Sequence, residues 1–375
     1  MPEIIQEKPK PTRVLVNGIH AKSGGGVTYL RNVLPLFGAN PALDVHLIIH
    51  KDQQGLYPEL GENVHVHARS FASGFYGLFL WEQIMLPLFV KRLGADIVFS
   101  PGNYGPFILR KQVTLLRNAL DVGRIEQRFR RRVLWFSISL VTWISSMLVR
   151  RAIAVSHYAA ESIAPRWTRH KIDIVHHGVS EQFRASANAD NHQREKFLLM
   201  VSDIYVQKNF QTVIDALSLV EKQHPSVKLR IAGKVLDPVY HDLIQAQIQR
   251  LNVSGNVEFL GSQPPEEIKK LYASCRAVVF SSTVEAFGNP LLEAMASGCP
   301  VLSSNTTAMP EVAGDAVLYF APDDAAALAK HMAAVLTDDA LCADLSRRAV
   351  KRSLDFSWPK TAEQTAAILI KTAQR

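Results

Sequence analysis

Two glutamates eight positions apart, Glu285 and Glu293, bracket the run AFGNPLL. Carboxylates accept hydrogen bonds and so suit the vicinal hydroxyls of a sugar or a ribose. Between them, Asn289 suits a helix N-cap and Pro290 the first helical position, which predicts a helix from Pro290 to Ser297 that stops at Gly298. In that register Leu292 holds the capping-box position, so the Glu293 carboxylate is not needed for its own helix and is expected to be free for a ligand. Gly288 has no side chain to block a ligand approaching the unpaired N–H groups and positive end of the helix. Taken singly, either acid is an ordinary solvated charge at a helix start. The run as a whole points to a ligand.

Two further groups fit an anionic ligand. Lys208 stands just before a predicted helix, where an ammonium neutralises a departing diphosphate or is simply a surface charge. Gly24, Gly25 and Gly26 let the backbone come close to a ligand ahead of a helix, although many such runs are only tight turns. The run is neither a dinucleotide fingerprint nor a P-loop, which counts against nicotinamide binding and nucleotide hydrolysis. His20, His46, His50, His65 and His67 raise the question of a metal. Alternation explains His65 and His67 as one face of a strand, and no third ligand has suitable spacing, so no metal is expected.

The elements that must position these groups alternate. Strands are predicted at 14–17, 43–50, 63–68, 95–100, 112–116 and 152–156, with helix-length gaps, and the pattern restarts with FLLMVSD, VKLRIAG, NVEFLG and RAVVFSS. This implies mainly parallel sheets, with ligands beyond the strand carboxyl ends. A chain of 375 residues, 47% hydrophobic, can build two domains. We expect a disordered lead at 1–12, a first domain at 13–185 joined by the terminal helix 356–375, a polar linker at 186–195, and a second domain at 196–355. The lead has no apolar signal-peptide core, and Cys275, Cys299 and Cys342 have no metal-like spacing, which suits a reducing, cytoplasmic setting.

Charge is uneven. Residues 1–185 hold 23 Lys and Arg against 13 Asp and Glu, whereas 186–375 hold 19 against 21, giving +10 and −2 within the total of +8. No nucleic-acid motif accompanies the basic half, so an anionic membrane surface or a phosphorylated acceptor is preferred. Arg128, Arg130, Arg131 and Arg132 beside Trp135 suit lipid headgroups at the start of the uncharged run VLWFSISLVTWISSMLV. That run is at the short edge for a spanning helix and leads at once into a strand, so a buried or surface-docking helix is expected.

The order Glu285, AFGNPLL, Glu293, AMASGCPV and MPEVAGDA resembles the donor signature of retaining GT-B glycosyltransferases of family four. SGGGVTYL, IAVSHYAAESI, VHHGV and the terminal FSWPKTAEQTAAILIKTAQR are similar to further family segments, so the resemblance runs along nearly the whole chain. It implies an α/β fold of two Rossmann-like domains facing across a cleft, with the C-terminal helix crossing back to the first. It also implies a metal-independent hexosyltransferase, with mannose among the candidate sugars, acting on a glycan or lipid-linked acceptor in envelope polysaccharide synthesis. A nucleotide sugar would be the donor substrate and no cofactor would be needed. By the resemblance Lys208 and Glu285 are catalytic, and Gly24, Gly25, Gly26, Leu260, Phe287, Gly288, Asn289, Leu291 and Glu293 join them around the donor. The family's basic partner to the lysine is replaced by Asp203, and its His-Asp pair by Arg117 and Asn118, which leaves those two with an acceptor-side role. A sugar-nucleotide epimerase of the same fold and a catalytically silent assembly partner are the alternatives.

Overall fold

The computed structural model describes residues 10–22, 24–57, 60–61, 63–71, 74–126, 128–184 and 194–375. The expected lead therefore lies outside the described residues except for its last three, and the expected linker except for its last two. The chain forms two units. One comprises the residues up to Asn118, Phe136–Gly178 and Trp358–Arg375, and the other Ala119–Trp135 and Val179–Ser357.

In the first unit seven parallel strands run in the order β3-β2-β1-β4-β5-β6-β7. They are β1 Thr12–Asn17, β2 Leu43–His50, β3 Val64–Arg69, β4 Ile97–Ser100, β5 Gln112–Leu116, β6 Arg151–Ala154 and β7 Ile172–Ile174. β4 and β5 are buried at every position, as the apolar runs IVFS and QVTLL require of strands covered on both faces. The C-terminal helix Trp358–Ala373 packs in this unit against the helix Gly24–Gly38, where the Tyr29 hydroxyl meets Thr365 Oγ1 at 3.2 Å. β7 has only three residues and a half-buried pattern, which is why its sequence carries no strand signal.

The second unit has six parallel strands in the order β10-β9-β8-β11-β12-β13. They are β8 Glu195–Val201, β9 Lys228–Ala232, β10 Val257–Gly261, β11 Cys275–Phe280, β12 Val301–Ser304 and β13 Leu318–Phe320. Arg194, expected in a linker, instead donates to the carbonyls of Tyr272, Cys275 and Gly298 and anchors the start of β8. Strand order reverses between β1 and β4 in one sheet and between β8 and β11 in the other. In doubly wound folds that reversal opens the crevice in which ligands bind.

Three boundaries differ from expectation. Val179 to Arg184 belong with the second unit, because Val179 bridges Ser357 and Arg184 donates to the carbonyls of Ser353 and Phe356. Phe356 belongs there too, its ring 5.9 Å from that of Phe287. The basic stretch at 119–135 also groups with the second unit. Arg128 is a structural tie and not a membrane contact. Its guanidinium donates to Glu126 Oε1 at 2.7 Å and to both oxygens of Asp237, the residue that caps the helix Pro238–Arg250. Arg131 reaches Asp237 at 3.1 Å, and these hydrogen bonds hold the Glu126 and Asp237 carboxyls below the usual carboxylate range. Trp135 is half-buried and lies over Gly123, where an added Cβ would come within 3.0 Å of it. Of the expected headgroup contacts only Arg130 and Arg132 remain exposed without a described tie. Even so, the first unit carries 20 Lys and Arg against 11 Asp and Glu, and the second 22 against 23.

Candidate functional site

The reversal point of the second sheet holds the predicted lysine and the first glutamate together. Lys208 ends the single turn Val206–Lys208 that follows β8, and Glu285 lies on the loop after β11. The Lys208 ammonium donates to Glu285 Oε1, which also accepts from Ser282 Oγ at 3.0 Å. Burial alone would depress the ammonium, but the charge of Glu285 and the nearby Tyr205 oxygen outweigh it and hold the lysine above its ordinary value. The rings of Tyr205 and Phe280 lie 5.5 and 5.9 Å from Nζ. Lys208 is a buried, oriented cation.

The loops that carry this pair are tied to each other. Ser281 Oγ donates to the Lys208 carbonyl at 2.7 Å, Thr283 N to the Gln207 carbonyl at 2.8 Å, and Ser304 Oγ to the Ser282 carbonyl at 2.6 Å. The Glu285 N–H donates to Thr307 Oγ1 at 3.1 Å, and Thr307 sits at φ 55°, a left-handed conformation costly for a β-branched residue. Strain of that kind concentrates at functional sites.

Gly288, at φ 90°, is the N-cap of the helix Asn289–Ala296, so Asn289 and Pro290 each sit one position deeper than expected. The left-handed turn that only glycine adopts freely ends the loop there, and this moves the start of the helix. Phe287 and Leu291 are buried with their side chains in the core, which leaves only their backbone to face a ligand. Glu293 is not the free carboxylate expected. Part of its surface is open, yet burial pushes its carboxyl up to about 8, and the Tyr272 hydroxyl is hydrogen-bonded to it. Tyr272 donates to the Pro290 carbonyl at 3.2 Å, so a protonated Glu293 completes the chain by donating to the Tyr272 oxygen. Leu260 is half-buried on β10, two strands from β8, and its carbonyl already accepts from the Gln263 side chain at 2.5 Å. Asp203 Oδ1 accepts from Lys234 N at 2.8 Å, a backbone-holding role in place of a second cation.

In the first unit, Gly24 to Gly26 form the first turn of the helix Gly24–Gly38. Arg117 follows β5, and its guanidinium occupies the space a side chain at Gly26 would need. It donates to the Pro101 carbonyl at 2.6 Å and to Asn118 Oδ1 at 3.3 Å, while Asn103 Oδ1 receives the N–H groups of Arg117 and Asn118 at 2.8 and 2.9 Å. Burial lowers the guanidinium to about 10, which leaves it charged at neutral pH. A cation and a glycine-only helix start thus sit together, an arrangement suited to a phosphate. Beside the β1–β4 reversal, His20 Nε2 lies 3.1 Å from Glu82 Oε2, and Asn17 Nδ2 donates to Glu82 Oε1.

Residues 181–352 match the model of the glycosyl transferases group 1. They belong to that family. The O-antigen chain mannosyltransferase B of Escherichia coli is 38% identical over 124 residues, covering 33% of this chain and 32% of its own. The serotype-specific mannosyltransferase WbdA of Escherichia coli is 34% identical over 173 residues, 45% of this chain and 21% of its own. The chain thus spans a third or less of these curated relatives. Among solved structures, Anabaena HepE in complex with UDP and glucose superposes with a TM-score of 0.75 over 96% of this chain and 99% of its own, at 18% identity. WaaG, a glycosyltransferase involved in lipopolysaccharide biosynthesis, gives 0.73 over 95% and 99%, at 17% identity. The fold of this chain is therefore that of the GT-B glycosyltransferases, two Rossmann-like units.

Sequence reasoning named Lys208 and Glu285 but not their pairing, nor Tyr205, Ser282, Thr307 and Tyr272 around the two glutamates. Ser282 and Thr307 follow β11 and β12 at their carboxyl ends, and that position was the available signal. Glu82 sits inside the helix Phe75–Leu93, where nothing in the pattern marks one buried acid.

Proposed function

We propose that this chain is a retaining hexosyltransferase. It moves a sugar, mannose on the names of the curated relatives, from a nucleoside-diphosphate donor to a glycan or lipid-linked acceptor in envelope polysaccharide assembly. The observation that carries this reading is the Lys208–Glu285 pair at the reversal of the second sheet, one short loop ahead of the helix that bears Glu293. Lys208 neutralises the diphosphate as it leaves. Glu285 keeps Lys208 aimed through Oε1 and takes a sugar hydroxyl on Oε2. The Glu293 carboxylate receives the ribose hydroxyls, and the N–H groups from Phe287 to Leu291 orient the sugar. Leu260 marks the side on which backbone groups meet the base. The glycine turn at Gly24 to Gly26 shares the diphosphate with Arg117, and Asn118 faces the acceptor.

No side chain in the described site stands as an obvious nucleophile, so the acceptor attacks from the face the leaving group vacates. A phosphate oxygen of the leaving group takes the acceptor proton. These steps need no metal. A thermal-shift screen across UDP-, GDP- and ADP-sugars tests the reading, since a ligand that binds only the folded chain raises its melting temperature. One nucleotide sugar is expected to protect clearly more than its nucleoside monophosphate. Protection by none removes the donor site, and donor breakdown without any acceptor favours the epimerase alternative.

The same enzyme is proposed to work at an anionic membrane surface. Tyr76, Leu80, Ile84 and Leu88 recur every four residues on the helix Phe75–Leu93 and are 53 to 62% exposed. Phe136, Leu140 and Trp143 on the helix Phe129–Leu148 and Trp167 add exposed apolar surface to the same basic unit. Among the described residues no helix is long and apolar enough to cross a membrane. An apolar stripe bordered by Lys91, Arg92 and Arg69 suits the headgroup boundary of acidic lipid. Vesicles containing phosphatidylglycerol should co-sediment the wild type but not Leu80→Asp/Ile84→Asp, and neutral vesicles should bind much less. Equal partitioning of both proteins would remove the membrane role.

A further inference from the structure

Four titratable side chains meet at the edge of the seven-stranded sheet, apart from the residues assigned to sugar transfer. The edge strand β3 pairs with β2 in the parallel register His46↔His65 and Ile48↔His67. Because side chains alternate along a strand, Asp44 and His46 of β2 share one face with His65 and His67 of β3. His46 Nε2 lies 3.2 Å and His65 Nε2 3.6 Å from Asp44 Oδ1, and ligand atoms of all three residues fall within 4.8 Å of one another. A tetrahedral zinc ion with bonds of about 2.0–2.1 Å holds its ligands roughly 3.4 Å apart.

The surrounding bonds leave the right lone pairs. Arg13 Nε donates to Asp44 Oδ2 at 2.7 Å, which orients the carboxylate and frees Oδ1. His46 Nδ1 and His67 Nε2 are 2.9 Å apart, so one of them carries the shared proton. With that proton on His46 Nδ1, its Nε2 presents a lone pair toward Asp44 Oδ1. In the opposite tautomer the His46 Nε2–H faces Asp44 Oδ1 at 3.2 Å, so the pair holds either that proton or, once the proton is displaced, a metal ion between the nitrogen and the oxygen.

We propose that Asp44, His46 and His65 bind a divalent transition-metal ion of the zinc class, with Arg13 and His67 orienting the ligands. Two imidazoles and one carboxylate favour zinc and its neighbours over magnesium or calcium, which demand oxygen. A solvent molecule completes the coordination. The ion staples β3, whose one sheet neighbour among the described residues is β2, and so stabilises that edge. The third ligand, missing when β3 is read alone, comes from the adjacent strand.

The test uses the tag-free chain, stripped with a chelator and titrated with Co²⁺ and then Zn²⁺. One equivalent of Co²⁺ should give the visible absorption of a tetrahedral site, Zn²⁺ should bleach it, and Zn²⁺ but not Mg²⁺ should raise the melting temperature. The His65 side chain is 56% exposed, so His65→Gln can be made without disturbing the core. It should abolish the band and the Zn²⁺-dependent rise. His67→Gln should weaken Zn²⁺ by roughly 10- to 100-fold, as loss of a ligand-orienting partner does elsewhere. Absence of the band in the wild type, or the same Zn²⁺ affinity in wild type and His65→Gln, overturns the proposal.

Discussion

Replacing Lys208 with alanine should lower kcat by on the order of 10²- to 10³-fold, the usual effect of deleting one preorganised partner of developing charge. The donor dissociation constant should move much less, because the lysine acts on charge that appears as the diphosphate departs. A cost in folding accompanies the loss. Lys208 and Glu285 side chains are 10 and 16% exposed, so removing the cation strands a largely buried carboxylate at a cost of about 3 kcal/mol. Lys208→Met combined with Glu285→Gln separates the two effects. The double variant should recover much of the melting temperature and none of the turnover. Arg117→Ala, beside the glycine turn, is expected to slow turnover as well. Single-turnover kinetics with thermal melts on the same preparations check each point, and a normal kcat in Lys208→Ala removes it from the chemistry.

Glu293→Gln should weaken donor binding by roughly 10- to 150-fold at pH 8.5, since hydrogen bonds to a charged group contribute about 1.5–3 kcal/mol and 1.4 kcal/mol is tenfold. The difference should depend on pH. In the free protein the Glu293 carboxyl titrates near 8 because burial disfavours its charge, so it holds its proton through neutrality. Ribose hydroxyls need the carboxylate as acceptor, and binding therefore expels a proton. Wild-type affinity should rise about tenfold per pH unit up to pH 8 and then level off, while Glu293→Gln stays flat, so the two converge near pH 6. Stability moves the other way. A carboxyl whose folded value is raised favours the folded state below its unfolded value, and that contribution is lost as pH climbs through about 8. Isothermal titration from pH 6 to 9 measures the first effect, and a pH-independent wild-type affinity would show that the donor does not meet the carboxylate.

How far these groups could be read in advance depended on whether their partners are local. The strands at 43–50 and 112–116 follow from apolar runs and turn residues alone, and the structure places them at the predicted residues. The helix after Gly288 was legible to within one residue, because Asn and Pro are both plausible where a glycine with φ 90° in fact begins it. What escaped were pairings across long stretches of chain. Glu285 finds Lys208 from 77 residues away, and Arg128 finds Asp237 from 109. That second pairing turned an expected membrane contact into a helix-capping tie. Tyr272, which takes the freedom from Glu293, lies on the helix Pro265–Ser274, where alternation and spacing mark it only as core. Asp44 and His46 join His65 only through the register of β2 on β3. A single strand does not contain that information.

The most direct measurement is a calorimetric titration of the nucleotide sugar chosen by the screen into the wild type and into Lys208→Met/Glu293→Gln. Saturable binding of one equivalent by the wild type, with at least a tenfold loss in the double variant and an unchanged fold by circular dichroism, is the expected result. Equal affinity in the two proteins would contradict the placement of the donor between Lys208 and Glu293.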